Sequence, residues 1–146
     1  MQYLTVESEN DLPPSTTIES LRDFLHESLK PYQDTPEDIH KALYYALASP
    51  ASPGGFVILA QESNQVLGAV VVLGTGMSGY VPSNILLFVA VSPDCRGQGV
   101  GKTLCEMAIR RCNGDISLHV EYDNPAKRLY ERLGFVSKYA EMRYSR

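Results

Sequence analysis

The sequence contains no tryptophan and only three cysteines among its 146 residues. Cys95, Cys105 and Cys112 form no C-x-x-C pair, so reduced thiols are expected rather than a disulfide framework or a zinc site. Long apolar runs are also missing, since the longest, Ile85–Val91 and Ala69–Leu73, are far too short to span a bilayer. The start, MQYLTVESEN, has neither a basic nor an apolar signal region, so we expect a cytoplasmic protein without a membrane partner.

Positive charge is scarce over the first part of the chain. Residues 1–90 contain 3 Lys and Arg against 10 Asp and Glu, whereas residues 91–146 contain 10 against 7. The formal net charge of −4 argues against nucleic acid as a partner. A split between halves indicates two different partners, and a chance distribution of surface charge is the simpler alternative.

The remaining composition, 44% apolar and 21% charged, is that of one globular domain covering residues 1–146. A capping-box spacing between Thr16 and Glu19 opens a first helix. Hydrophobic periodicity predicts an α/β (α+β) fold with a mixed, mostly antiparallel sheet and about four helices. The predicted strands are 2–6, 55–61, 65–74, 84–91, 115–121 and a hairpin over 134–144; the predicted helices are 18–30, 35–47, 101–112 and 125–133.

The most informative segment is an apolar strand that leads through a glycine loop into a helix. In VAVSPDCRGQGVGK, residues 89–102, glycine stands at Gly97, Gly99 and Gly101. Glycine lets the backbone approach an anion closely, and the free N–H groups at a helix start favour negative charge. Arg96 and Lys102 flank the loop and add positive charge. The pattern predicts a phosphate cradle.

Three phosphate-binding motifs compete for this loop. The P-loop pattern G-x-x-x-x-G-K-[ST], started at Gly97, demands glycine where Lys102 stands, and the dinucleotide pattern G-x-G-x-x-G fails at the same residue. Arg96, Gly99 and Gly101 satisfy the third pattern, R-x-x-G-x-G. A tight glycine turn without any ligand is the plainest alternative.

A second motif, DNPAKRLYERLGF, occupies residues 123–135. It resembles the second signature of the GCN5-related N-acetyltransferases (GNAT), and the segment Arg96–Gly101 resembles their acyl-CoA pyrophosphate loop. The two motifs stand in the family's order and at about its spacing, within a match over residues 85–135. The resemblance implies a single-domain GNAT fold, acetyl-CoA as the acyl donor and no metal.

The resemblance also implies a CoA site, residue by residue. The pantetheine arm would pair with the strand at Val89, Ala90 and Val91, as in β-augmentation. The pyrophosphate would be held by the loop backbone at Arg96, Gly97, Gln98, Gly99, Val100, Gly101 and Lys102.

The second motif supplies two further candidates. Asn124 resembles the amide that binds the pantetheine arm, and Tyr130 resembles the tyrosine that protonates the departing CoA thiolate. The usual Asn-to-Tyr spacing is one residue longer, so Asp123 occupies the strict position and competes with Asn124 for that role. A phenol can supply the proton, and the alternative for Tyr130 is simple packing on the core.

The acceptor amine needs a base, because an amine is protonated at pH 7. His119 resembles the position where some protein N-terminal acetyltransferases of the family place a basic glutamate, and histidine suits a base near neutrality. Glu121 points the same way on the predicted strand. The alternative is that both are ordinary residues of a polar face.

These observations lead us to expect an acetyl-CoA-dependent N-acetyltransferase acting on a primary amine of a small molecule, protein or peptide, as a monomer or homodimer. Two alternatives stay open: a non-catalytic acyl-CoA-binding module of the same fold, and an acyltransferase with another donor or acceptor. The acidic residues 1–90 would face the acceptor and attract a cation.

Overall fold

A five-stranded sheet organises the fold, and the computed structural model describes all residues, 1–146. The strands are β1 (Gln2–Val6), β2 (Gly55–Glu62), β3 (Gln65–Gly74), β4 (Asn84–Val91) and β5 (Ile116–Ser117). The α-helices are α1 (Ile18–Ser28), α2 (Pro36–Leu47), α3 (Val100–Arg111) and α4 (Ala126–Arg132). Strands β1 to β4 are antiparallel neighbours, and β5 runs parallel to β4 at the edge. The predicted class, a mixed and mostly antiparallel sheet with four helices, is confirmed.

Helices cover both faces of the sheet. Successive side chains of a strand point to opposite faces, and β2 is buried from Phe56 to Gln61. Val57 and Leu59 pack in one cluster with α1 and α2, whereas Phe56 and Ile58 pack in a second cluster with α3 and α4. A strand covered on both faces has a continuous apolar sequence, as β2 does.

The start of α2 and the turn between β2 and β3 lie where local sequence signals predict them. The Thr35 hydroxyl accepts a hydrogen bond from the Asp38 N–H at 3.2 Å, so Thr35 caps α2, and Pro36 takes the first helical position. Ser63 and Asn64, between β2 and β3, have φ values of 51° and 63°. A type I′ two-residue turn requires positive φ at both positions, so this turn fixes the pairing of Glu62 with Gln65 beside it.

The start of α1 differs from the prediction by one residue. Thr17, not Thr16, is the N-cap: its hydroxyl accepts from the Ser20 N–H at 3.0 Å, and the Ser20 hydroxyl accepts from the Thr17 N–H at 2.9 Å. Thr16 is buried instead. A serine hydroxyl can close this reciprocal pair in place of the expected Glu19 carboxylate, because it reaches the same free N–H group.

The fifth strand is shorter than predicted, with two residues instead of 115–121. It pairs with β4 only at Asn84 and Ile85, the first two residues of that strand. The register between β3 and β4 then shifts beside Leu87, which has no partner on β3. A bulge bends the strand that carries it, so β4 turns away from the chain that continues β5.

The predicted hairpin over residues 134–144 is wrong, because this segment contains no strand. Its apolar side chains are largely exposed, with Val136 at 83% and Met142 at 91%. An added strand needs a neighbour with a regular free edge, and β5 offers only two residues. The sheet therefore has five strands rather than the larger number expected.

The capping pair of α1 gives a stability test. We expect Thr17→Ala to lower the free energy of unfolding by ~1 kcal/mol, because the Ser20 N–H loses its acceptor. The matched substitution Glu19→Ala, at the partner position predicted from sequence, should change it by less than about 0.5 kcal/mol. Urea unfolding of both variants measures the difference, and an equal loss in the two would contradict the assigned cap.

Candidate active site

The pairing of β4 with β5 ends after two residues, and we call the resulting gap between β4 and the segment that follows β5 the cleft. Beyond Ile85, β4 has no β5 partner, so its edge is unpaired on that side as far as Val91. Ala90 is buried, whereas Val89 and Val91 are half-buried. The open edge therefore brings the backbone of the three strand residues predicted to contact pantetheine to a face that an extended ligand could join.

The glycine loop forms a set of free N–H groups at the end of that edge. Gly97 and Gly99 have φ values of 78° and 81°, and a Cβ at either position would touch nothing within 4 Å. The six N–H groups of residues 97–102 donate to no protein acceptor. Since α3 begins at Val100, its dipole adds positive potential at the same place. We call residues 97–102 the N–H cradle.

The two basic side chains beside the cradle behave differently. Arg96 turns back under the loop, where its Nε donates to the Val91 carbonyl at 3.2 Å and its terminal nitrogen donates to the Ser28 carbonyl at 2.7 Å. The Arg96 N–H also has an acceptor, the Pro93 carbonyl at 3.4 Å. Lys102 is exposed and meets Glu106 only at 3.7 Å. The cradle therefore consists of backbone groups, with Lys102 as the exposed cation beside it.

Tyr130 lies on α4 and belongs to the second core cluster. It is 9% exposed, and its ring meets that of Phe135 edge-on, with centroids 6.1 Å apart. No hydrogen bond engages its hydroxyl. Burial, and then the neighbouring Cys105 and Glu121 charges, raise the pKa of Tyr130 above its ordinary value of 10.0. The phenol therefore stays protonated throughout the neutral range, as a proton donor requires.

Asn124 and Asp123, which compete for one predicted role, have different contacts. The Asn124 amide nitrogen donates to Glu121 Oε1 at 3.0 Å, and its amide oxygen accepts from the Ala126 N–H at 2.9 Å. Asp123 offers its backbone carbonyl to the Tyr32 hydroxyl at 3.2 Å. Asn124 thus holds the start of α4. Which of the two residues binds the pantetheine arm stays a prediction from the sequence.

The predicted base His119 is exposed and lies outside β5, in the irregular segment that follows it. The sequence placed it on a longer strand, which is absent. Glu121, two residues further, is also exposed, but its charge contributes to raising the pKa of Tyr32, Asp34 and Tyr130. It therefore lies where the chain after β5, α4 and the α1–α2 connection meet.

The α1–α2 connection belongs to residues 1–90, which the sequence predicts to face the acceptor, but no motif in the sequence singles it out. Burial, and then the charges of Asp38 and Glu121, raise the pKa of Asp34, while Arg143 opposes the shift. The charges of Asp38 and Glu121 act on Asp34, and those of Asp123 and Glu121 act on Tyr32. We call the four carboxylates that share these interactions the acidic cluster: Asp34, Asp38, Glu121 and Asp123. No local pattern could have found it, because the members come from segments more than 80 residues apart.

No group of three or more His, Cys, Asp or Glu side chains is arranged to hold a metal ion. None of the helices is both long enough and apolar enough to cross a membrane.

Comparison with known proteins shows the family. The sequence model of the Acetyltransferase (GNAT) family matches residues 18–135, and the chain belongs to this family. A mycothiol acetyltransferase of Arthrobacter sp. (strain FB24) is 31% identical over 98 residues, which is 63% of this chain and 30% of that protein. The chain spans between 21% and 30% of the length of the mycothiol acetyltransferases that it matches.

Solved structures share the whole fold. A GNAT-family acetyltransferase from Streptococcus pneumoniae TIGR4 has a TM-score of 0.70 at 18% identity, covering 99% of this chain and 98% of its own. An aminoglycoside N-acetyltransferase in complex with CoA has a TM-score of 0.69 at 15% identity, covering 99% and 95%. At these identities the likeness concerns the fold.

The glycines of the cradle make a matched pair of tests. Gly99→Ala forces a side chain into a left-handed backbone, which should cost about 1–2 kcal/mol of stability and weaken CoA binding. Gly101→Ala places its Cβ at 3.6 Å from Val91 and 3.8 Å from Leu129, ordinary contacts, and should raise stability by up to ~1 kcal/mol. Urea unfolding measures the stability of both variants, and calorimetry measures their affinity for CoA. Unchanged stability and CoA affinity in Gly99→Ala would contradict the role given to the loop.

Proposed function

We propose that the protein is an acetyl-CoA-dependent N-acetyltransferase that acetylates a primary amine of a small molecule, protein or peptide by direct attack in a ternary complex. The observation that carries the proposal is the continuity of the site: a free strand edge leads to six unpaired N–H groups. One extended ligand with an anionic end fits both features. Membership of an acetyltransferase family supports acetyl-CoA as that ligand.

Each part of the donor has a proposed place. The cradle, residues 97–102, binds the pyrophosphate through backbone N–H groups and the dipole of α3. The pantetheine arm pairs with the open edge at Val89, Ala90 and Val91, and Asn124 or Asp123 binds it from the opposite side. An N–H group of β4 then donates a hydrogen bond to the thioester oxygen, where negative charge develops during attack.

The chemistry needs three proton movements. The neutral amine attacks the thioester carbonyl and a tetrahedral intermediate forms; its collapse breaks the carbon–sulfur bond, and the departing thiolate takes a proton from the Tyr130 hydroxyl. The nitrogen of the new amide then releases its extra proton, which returns the Tyr130 phenolate to the phenol. The amine must first lose its own proton. His119 is the proposed base, and the electrostatic interaction of Glu121 with Tyr130 supports that carboxylate as a second candidate. Holding donor and amine together supplies much of the rate.

The central experiment is a thiol-release assay with acetyl-CoA and a panel of amines, including an aminoglycoside, a polyamine and peptides with free amino termini. We expect at least one amine to raise thiol release well above hydrolysis. Binding of CoA without such stimulation by any amine would favour the non-catalytic acyl-CoA-binding module instead.

The proposed acid is tested by Tyr130→Phe, which removes one hydroxyl and keeps the buried ring. Turnover should fall by about 10²-fold or more, because the thiolate loses its proton donor. Calorimetry should show CoA binding close to that of the wild type. The control is Tyr122→Phe, at a tyrosine that is 85% exposed, which should leave both quantities unchanged. Weakened CoA binding with unchanged turnover of the bound complex would exclude Tyr130 as the acid.

The acidic cluster predicts a preference for cationic acceptors. Raising the salt concentration from about 0.01 M to about 0.15 M shortens the screening length from ~30 Å to ~8 Å, so KM for a cationic amine should rise several-fold. Asp34→Asn should raise the same KM at low salt and make it less sensitive to salt. Glu9→Gln, an exposed carboxylate outside the cluster, is the control. A KM that does not respond to salt would contradict electrostatic attraction of the acceptor.

A further inference from the structure

The Arg96 side chain joins three parts of the molecule. It leaves the loop that leads into the cradle, and its guanidinium reaches the Val91 carbonyl at the end of β4 and the Ser28 carbonyl in the last turn of α1. Ser28 is 6% exposed, so this end of α1 is fixed in the protein interior. A cation at a helix carboxyl end is also favoured by the helix dipole.

The α1–α2 connection that begins there is held again on the other side of the cleft. Four residues beyond Ser28, the Tyr32 hydroxyl donates to the Asp123 carbonyl at 3.2 Å, in the loop before α4. Four residues span at most about 14 Å. The connection therefore crosses the mouth of the cleft between two fixed points, one beside the cradle and one beside α4, and it carries Asp34 of the acidic cluster.

We propose that Arg96 is a positioning residue, which ties the cradle and the α1–α2 connection to the end of β4 and so sets the donor and acceptor sides relative to each other. The guanidinium suits this task, since its planar fork donates in two fixed directions, whereas a lysine ammonium offers a single point charge. The N–H groups of the Arg96 side chain bind carbonyl groups of the protein, so Arg96 affects the binding of acetyl-CoA through the loop backbone. This proposal rests on the acetyl transfer proposed above.

The competing role, direct binding of phosphate by the Arg96 side chain, makes opposite predictions for a donor without phosphate. Acetyl-CoA and acetyl-pantetheine carry the same thioester, but only the first has a pyrophosphate. For Arg96→Lys we expect kcat/KM to fall by about ten-fold or more with both donors, since a displaced loop and connection misplace the reacting groups. A fall confined to acetyl-CoA would overturn the proposal.

The acceptor side gives a second readout. Arg96→Lys should raise KM for the amine as well as for acetyl-CoA, whereas Tyr32→Phe, which releases only the far end of the connection, should raise KM for the amine alone. An unchanged amine KM in Arg96→Lys would contradict the coupling of the two sides. Arg110→Ala removes an exposed arginine from the opposite end of α3 and is the control for loss of charge.

Hydrogen–deuterium exchange of the free protein tests the contact without any turnover. Arg96→Lys should raise exchange in residues 29–35, and Arg110→Ala should not. Equal exchange in wild type and Arg96→Lys would refute the positioning role even if the protein acetylates amines. Conversely, increased exchange together with inactivity of the wild type towards every amine would retain the positioning contact and refute the proposed function. Arg96→Lys keeps the charge and is preferred to Arg96→Ala, which serves as a second variant.

Discussion

The early divergence of β4 from β5 is the constraint on which the rest of the site depends. Pairing stops after Asn84 and Ile85, and the bulge at Leu87 bends β4 before it reaches the glycine loop. A strand edge in the middle of a fold leaves backbone groups without partners, and such groups need acceptors and donors from elsewhere. An extended ligand can supply them. In the proposed function, the pantetheine arm is the extended molecule that completes this gap in the sheet.

Packing behind the cleft gives this open arrangement its rigidity. Leu104 and Cys105 of α3 are fully buried against the sheet, and Tyr130 belongs to the same cluster. The contacts that fix the Tyr130 ring also remove water from its hydroxyl, so one feature both positions the phenol and raises its pKa. The proposed acid is thus a core residue, held by the same packing that buries its ring.

Most of the features that the sequence predicted correctly depend on neighbouring residues, and most of those that it missed depend on distant ones. The cap at Thr35 and the turn at Ser63–Asn64 follow from side-chain chemistry and φ preferences, and the glycine loop follows from the need for positive φ. The length of β5 could not be predicted in this way. Alternating apolar and polar residues predict a strand, but they do not show how far the neighbouring strand runs alongside it. The Arg96–Ser28 contact joins residues 68 positions apart and has no local signature, so the sequence placed Arg96 in the phosphate loop, as a charge and as part of its backbone, without predicting this contact.

The separation of acidic and basic residues along the sequence does not persist in the folded chain. The basic segment, residues 91–146, supplies two members of the acidic cluster, Glu121 and Asp123, so the acceptor side draws carboxylates from both parts of the sequence. The guanidinium of Arg96 is directed to two carbonyl groups and leaves Lys102, which pairs with Glu106 at 3.7 Å, as the exposed cation beside the cradle. In the proposed function, attraction of the anionic donor therefore depends chiefly on backbone dipoles, which are fixed in place and act within the first turn of the helix. Salt screens these dipoles as well as the exposed carboxylates, so the donor end acts on its ligand through direct contact and the acceptor end acts on a cation through solvent.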